Sequence, residues 1–293
     1  MMKIHHISTL ASQFKPNLNF YTKVLGLRLV KNTVNQENPS MRHVFYGDYL
    51  GSPGTVLTFF IVPLLGKRTD GNHYINSVTM QIPRGSFQWW AAWLTKNDIV
   101  FHQTNSLLTF DDPDQFTITL TEGPAMLAEK QINSQSLVPA DKQIVQILGT
   151  SWAGPAIVNS ATFFHDFLST NTDDQKVDLD NNQFIKLVQT NEPTKRTRFG
   201  RGSVDHLALQ VDSEDELFAY WQKTVQQGWQ LEIYRDRHWF KSIYLRDPSN
   251  NRLELATTSP GFTIDEQLDD LGTSLVLPPW LENKRAVIED QLS

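Results

Sequence analysis

Two histidines and one glutamate stand in short alternating apolar stretches at opposite ends of the chain. His6 lies in Ile4-His5-His6-Ile7-Ser8, His206 in Val204-Asp205-His206-Leu207-Ala208, and Glu254 in Asn251-Arg252-Leu253-Glu254-Leu255-Ala256. Two imidazoles and a carboxylate are the donor set of a metal ion that keeps open positions for reactants. Alone, each has a plainer reading: a strand glutamate is usually solvated and a single histidine usually hydrogen-bonded. It is the three together that point to a metalloenzyme.

The elements that carry them must turn the three side chains to one side. Side chains alternate between the faces of a strand. Leu207, Leu209 and Val211 therefore share one face, and His206, Ala208 and Gln210 the other. Glu254 opposes Leu253 and Leu255, Tyr244 opposes Ile243 and Leu245, and His6 shares a face with Ser8. A curved sheet gathers His6, His206, Glu254 and Tyr244 into one concavity, provided the two ends of the chain lie side by side.

The same strand, helix and strands pattern recurs four times up to about Thr257, and such repetition governs the choice of fold. The first pass predicts a strand over Ile4–Leu10, a helix over Asn17–Leu25 closed by Gly26, and strands at Arg28–Val30, Arg42–Tyr46 and Thr55–Phe60. The second predicts Tyr74–Met80, a helix over Ser86–Thr95 with Ser86 as N-cap, and strands near Ile99–His102, Phe116–Leu120 and Ala125–Glu129. The third is fainter, with a strand over Gln143–Gly149, a helix over Asn159–Leu168 and poorly marked later strands near Phe184–Val188 where the pattern calls for three. The fourth predicts Val204–Val211, a helix over Ser213–Gln227 closed by Gly228, and strands at Leu231–Tyr234, Trp239–Leu245 and Arg252–Thr257. Ser77 takes the histidine's place in the second pass, and Gln146 or Ile147 in the third. Gln131–Lys142 reads as a link between halves. Three regions are expected: 1–135, 136–257 and an apolar docking tail at 258–293.

Bulk properties narrow the partners. The 293 residues carry a net charge of -6, which argues against a nucleic-acid-binding surface. With no cysteine, thiolate metal sites, disulfides and thiol nucleophiles are excluded. No apolar leader or membrane-length stretch stands out, so a cytoplasmic protein is expected, without a membrane partner. His43, His73, His102, His165 and His238 are read as structural or surface residues.

Together these residues resemble the vicinal oxygen chelate superfamily of glyoxalases and extradiol dioxygenases, and within it the hydroquinone-type ring-cleaving dioxygenases. The marks are Ile4-His5-His6-Ile7, Phe20-Tyr21, the run Val24 to Lys31, Tyr46-Gly47-Asp48, the run Gly51 to Phe60, Asp236-Arg237, Ser242-Ile243-Tyr244, and Leu277 to Glu282. The resemblance implies an α+β fold of four βαβββ units in two curved half-barrel pairs. It also implies one Fe(II) per chain, with Mn(II) as substitute, on His6, His206 and Glu254. It casts His5, Arg237 and Tyr244 as catalytic and Ser8 and Asp205 as substrate-binding. Asp205 departs from relatives that carry a second histidine there. Near the start of its strand it either reaches the rim of the pocket, where a carboxylate would disfavour anionic substrates, or orients a neighbouring group.

The expected function is a non-haem Fe(II) dioxygenase that opens a hydroquinone- or catechol-like ring. Its partners would be a small aromatic and O₂, and a homo-oligomer is allowed. Two alternatives stand beside it: a redox-neutral glyoxalase-like lyase or isomerase, and a protein that binds a small aromatic without turnover.

Overall fold

Four alternations of strand and helix periods build the chain, and a computed structural model describes its residues 2–173, 175–191 and 194–292. The first unit is β1 (Ile4–Ala11), α1 (Phe14–Asn19) extended by a π turn over Phe20–Val24, β2 (Arg28–Val34), β3 (Arg42–Gly47) and β4 (Val56–Ile61). Gly26 follows the helix at φ +74°, a left-handed conformation that suits glycine. A Cβ there would also strike Ser136 and Val138 of the link, so the link packs directly on this turn.

The second unit is β5 (Tyr74–Pro83), α2 (Phe87–Lys96), β6 (Phe101–Gln103), β7 (Leu107–Asp111) and β8 (Thr117–Gly123). The strand expected at Ala125–Glu129 is not formed. No residue of that segment is buried, and the third strand of the set is β7, whose Leu108 and Phe110 alternate inward. Ser86 precedes α2 as expected but makes no capping bond; the Glu122 carboxylate accepts from the Phe87 amide instead, at 2.8 Å.

The third unit is β9 (Gln146–Gly154), α3 (Ile157–Leu168), β10 (Lys176–Asp178) and β11 (Phe184–Gln189), one strand fewer than expected among the described residues. The polar run between α3 and β10 offers no alternating apolar positions from which to build an edge strand. The fourth unit is β12 (Val204–Val211), α4 (Glu214–Gln227), β13 (Gln230–Asp236), β14 (Lys241–Arg246) and β15 (Arg252–Thr257). Ser213 Oγ accepts from the Glu216 amide at 3.1 Å and Gly228 ends α4 at φ +71°, so both signals act as the sequence indicates.

Units one and four form an eight-stranded sheet, β13-β14-β15-β12-β1-β4-β3-β2, and units two and three a seven-stranded one, β10-β11-β9-β5-β8-β7-β6. Neither closes on itself. The pairing needed to unite His6 with His206 is thus present. One large core cluster, including Ile7, Met80, Trp152 and Leu207, lies between sheets and helices. The opposite face of the larger sheet carries a second cluster of Val30, Phe45, Val56, Trp239, Phe240 and Ala256, covered by Phe262 and Leu271 of the tail.

The tail is firmly docked. Lys31, fully buried, reaches Asp265, Glu266 and the Phe262 carbonyl, and the Arg28 guanidinium donates to the Leu268, Asp269 and Leu271 carbonyls. A final helix, α5 (Arg285–Leu292), brings Ile288 onto Val34, Leu277 and Leu281. No helix among the described residues is long and apolar enough to cross a membrane.

Candidate metal centre

Register places the three donors. β1 pairs antiparallel with β12, matching His6 with Ala208 and Ser8 with His206, and β12 pairs parallel with β15, matching Ala208 with Glu254. His6, Ala208 and Glu254 therefore form one row across three strands, with His206 two residues along. Ala208, buried and the smallest of the row, sits between the longer side chains. A larger residue there would fill the volume an ion needs.

The donor atoms of His6, His206 and Glu254 lie within 4.8 Å of one another, and all three residues are buried. Nε2 of His6 is 3.2 Å from Nε2 of His206, and Glu254 Oε2 is 2.7 Å from His206 Nε2 and 3.5 Å from His6 Nε2. Glu254 Oε2 nevertheless has no hydrogen bond of acceptable direction. Three ligand atoms thus crowd one small buried volume, with a carboxylate oxygen left unbonded, and a cation among them would satisfy all three. Glu254 Oε1 is held by the Ser242 hydroxyl. Burial alone would raise the Glu254 carboxyl, but His206 and His6 overrule it and keep it well below the usual range. The donor set fits a divalent ion that accepts imidazole and carboxylate.

Both imidazoles are oriented from behind. Asp205 Oδ2 lies 2.7 Å from His206 Nδ1, so Nδ1 carries the proton and Nε2 is left bare. Burial would lower His206, but Glu254 and Asp205 together raise it. Asp205 also accepts from Arg252 at 3.0 Å; although burial would raise it, these partners draw it down to about 2. His5 Nδ1 lies 2.9 Å from His6 Nδ1. Burial lowers His5 to about 3, so it is neutral and accepts from His6 Nδ1–H.

A small, partly open cavity lies over the triad. Tyr244 and Arg237 form one side, His43, Phe45 and Phe60 another, and Trp239 and Phe240 a third. Burial raises the Tyr244 phenol, and Glu254 nearby adds to this, so it keeps its proton. Its oxygen accepts from Arg237 Nε and Nη2, both at 3.3 Å, which leaves its own O–H free to donate into the cavity. The Arg237 guanidinium is anchored by the Glu37 carboxylate at 2.8 and 2.9 Å.

Of the residues singled out in the sequence, five line this cavity: His6, His206, Glu254, Arg237 and Tyr244. The other three stand one layer behind. His5 faces a neighbouring cleft with Gly51, Ser52 and Phe262. Asp205 braces His206, and Ser8, fully buried, accepts from the Thr58 hydroxyl at 2.9 Å. Two further residues matter to the site: His43 in its wall and Glu37 behind Arg237. His43 was read as structural, although it shares the strand face of Phe45 and opposes the core residues Val44 and Tyr46. Glu37 carries no sequence signal, since its partner is 200 positions away. The comparable place in the second sheet holds Ser77, whose hydroxyl meets Ser151 of the third unit at 3.0 Å, so the residue facing it from that unit is Ser151 and not the expected Gln146 or Ile147.

Comparison with known proteins agrees with this architecture. The family model described as Glyoxalase/Bleomycin resistance protein/Dioxygenase superfamily matches residues 3–82 and 157–255. These two segments hold all three donors. The chain is 33% identical to the "Putative ring-cleaving dioxygenase MhqA" of Bacillus subtilis (strain 168), covering 99% of this chain and 97% of that one. It is 26% identical to the chlorohydroquinone/hydroquinone 1,2-dioxygenase of Sphingobium indicum, over 99% and 94%. A crystal structure of a "putative dioxygenase" from Bacillus subtilis subsp. subtilis str. 168 superposes with a TM-score of 0.91 at 27% identity, over 100% and 96% of the two chains. The chain belongs to the glyoxalase, bleomycin resistance protein and dioxygenase superfamily.

Proposed function

We propose that the protein is a non-haem Fe(II)-dependent dioxygenase that opens a hydroxylated aromatic ring of the hydroquinone or catechol class. The observation that carries this reading is the convergence of His6, His206 and Glu254 beneath a cavity walled by aromatic rings, with Arg237 and Tyr244 at its side. The relatives' names point the same way. Residues 1–135 and 136–257 are the two duplicated halves, each giving one unit to each sheet, and 258–293 is a buttress for the cavity wall.

His6, His206 and Glu254 would hold the ion, with Mn(II) as the substitute. A bound Fe(II) supplies redox coupling between a phenolate and dioxygen and holds both reactants together. The protein's own groups do the rest. Arg237, kept charged and fixed by Glu37, stabilises negative charge that develops on a ring oxygen. Tyr244 offers its O–H to the same region and moves a proton there. Phe45, Phe60, Trp239 and Phe240 exclude water around the ring. His5 and Asp205 fix the imidazoles whose Nε2 atoms face the ion, and Ser8 supports the wall through Thr58.

Anaerobically Fe(II)-loaded protein, exposed to oxygen with hydroquinone or catechol, should consume one O₂ per ring opened and place both oxygen atoms in the product. Metal-replete protein that takes up no oxygen with any member of such a panel would sink the reading and favour redox-neutral chemistry. Tyr244→Phe should lower turnover by about 10²-fold or more while metal content is unchanged, the usual weight of a positioned acid or base. Full turnover in that variant would remove the phenol from the chemistry.

A further inference from the structure

His43 is the one cavity-wall histidine that is not a donor of the triad. Its imidazole is sandwiched between Phe45 and Phe60, with ring centroids 4.2 and 4.1 Å away. Its Nε2 lies 3.0 Å from Thr58 Oγ1. Thr58 has a single hydroxyl proton, and that proton goes to Ser8 Oγ at 2.9 Å. Thr58 Oγ1 is therefore only an acceptor toward His43, so Nε2 must carry the proton. Burial, with Arg237 and the two ligand histidines nearby, pushes His43 well below the usual imidazole range, so the ring is neutral. In the neutral Nε2–H tautomer, Nδ1 is a bare acceptor. It has no hydrogen-bond partner among the described residues, and it is not among the buried atoms shut away without one. His43 lines the cavity, and Nδ1 is the ring nitrogen it has left to offer there.

The sheet order places this acceptor opposite the donors. His43 stands on β3, two strands beyond β1, and Tyr244 on β14, two strands beyond β12 on the other side. The triad lies between them. A ring docked by one oxygen at the triad can turn a second substituent toward Arg237 and Tyr244, which only donate, or toward His43, which only accepts. The first suits a ring oxygen that has lost its proton, and the second a hydroxyl that keeps it.

We propose that His43 is a substrate-specificity residue whose Nδ1 accepts a hydrogen bond from a second, protonated ring hydroxyl remote from the metal. This rests on the reading of the cavity as a site for hydroquinone- or catechol-like rings and deepens it by naming the group that reads the second hydroxyl. The tautomer is set by Thr58 and Ser8 behind the wall, so Ser8 acts on substrate choice through two hydrogen bonds rather than by contact.

The test is equilibrium binding without oxygen. Fe(II)-loaded protein is titrated anaerobically with hydroquinone and with phenol, and heats of binding give both affinities. Wild-type protein should bind hydroquinone about tenfold more tightly, since phenol leaves a desolvated acceptor unpaired. His43→Phe keeps the aromatic sandwich but has no acceptor, so the preference should vanish through weaker hydroquinone binding with phenol unchanged. His43→Asn, whose amide oxygen can stand near the Nδ1 position, should restore part of it. Metal content equal to wild type checks that each variant is folded. Binding of both ligands with no wild-type preference, or with the preference intact in His43→Phe, overturns the proposal and leaves the dioxygenase reading standing. Failure of wild-type protein to bind either phenol overturns both. The wild-type comparison needs no variant, so a misfolded substitution does not shelter the idea.

Discussion

Glu254→Gln should yield folded protein that no longer retains its metal. Glutamine keeps the volume of the side chain and an oxygen for the Ser242 hydroxyl to reach, so the β14–β15 pairing is preserved. What it removes is the negative charge and the good donor at Oε2, the atom that otherwise lies buried without a hydrogen bond. Two neutral imidazoles remain, too few to hold a dissociable divalent ion. The loss in affinity should exceed the roughly 100-fold that outer-sphere partners are worth. Elemental analysis after dialysis should show under about a tenth of an ion per chain, and oxygen uptake should fall with it. Stoichiometric metal in the variant would remove Glu254 from the centre and with it the proposed function.

A second large effect should come from a residue that never touches the ion. Asp205→Asn should weaken metal binding by about 10- to 100-fold, the range for the hydrogen-bond partner of a ligating histidine. Asp205 holds the Nδ1 proton of His206 at 2.7 Å and is itself held by Arg252, so the imidazole has one tautomer and one orientation. Asparagine is neutral and can present either an amide N–H or an oxygen to Nδ1. A competition titration with a metal-sensitive dye reads the change directly. Wild-type affinity in Asp205→Asn, together with an altered choice among charged aromatics, would instead return Asp205 to the substrate-facing part expected from sequence.

Strand parity carried most of what could be read before the structure. Alternation alone set His206 against Leu207, Glu254 against Leu255 and Tyr244 against Leu245, and the burial of those leucines in the main core matches it. The same rule applied to Arg42-His43-Val44-Phe45-Tyr46 would have turned His43 inward toward the site; a default reading of lone histidines as structural hid it. Parity has no power outside strands. Glu37 lies in the loop after β2, and its pairing with Arg237 depends on how two distant segments fold over each other. Nor does parity say how far a side chain reaches. Asp205 and His5 alternate away from their ligand neighbours, yet each bends back to bond the adjacent imidazole. The Ala125–Glu129 strand failed for another reason: its apolar residues follow Pro124 and share no buried face, whereas the Leu107–Asp111 strand hid behind a single exposed leucine at its start.

The pairing of β1 with β12 has a consequence for synthesis on the ribosome. β1 emerges about two hundred residues before the strand that covers its open edge, residues 204–211, and still further before the candidate donor Glu254. Until residues 204–211 are made, the first unit must wait with an apolar, unpaired edge at Ile4–Ala11. Closing so long a loop is slow compared with local pairing. The second and third units are neighbours in sequence, so the seven-stranded sheet can assemble while the fourth unit is still being made. A metal bound at the triad could therefore act on folding only after the fourth unit has been made. The nascent first unit is the stretch that most needs protection from other nascent chains.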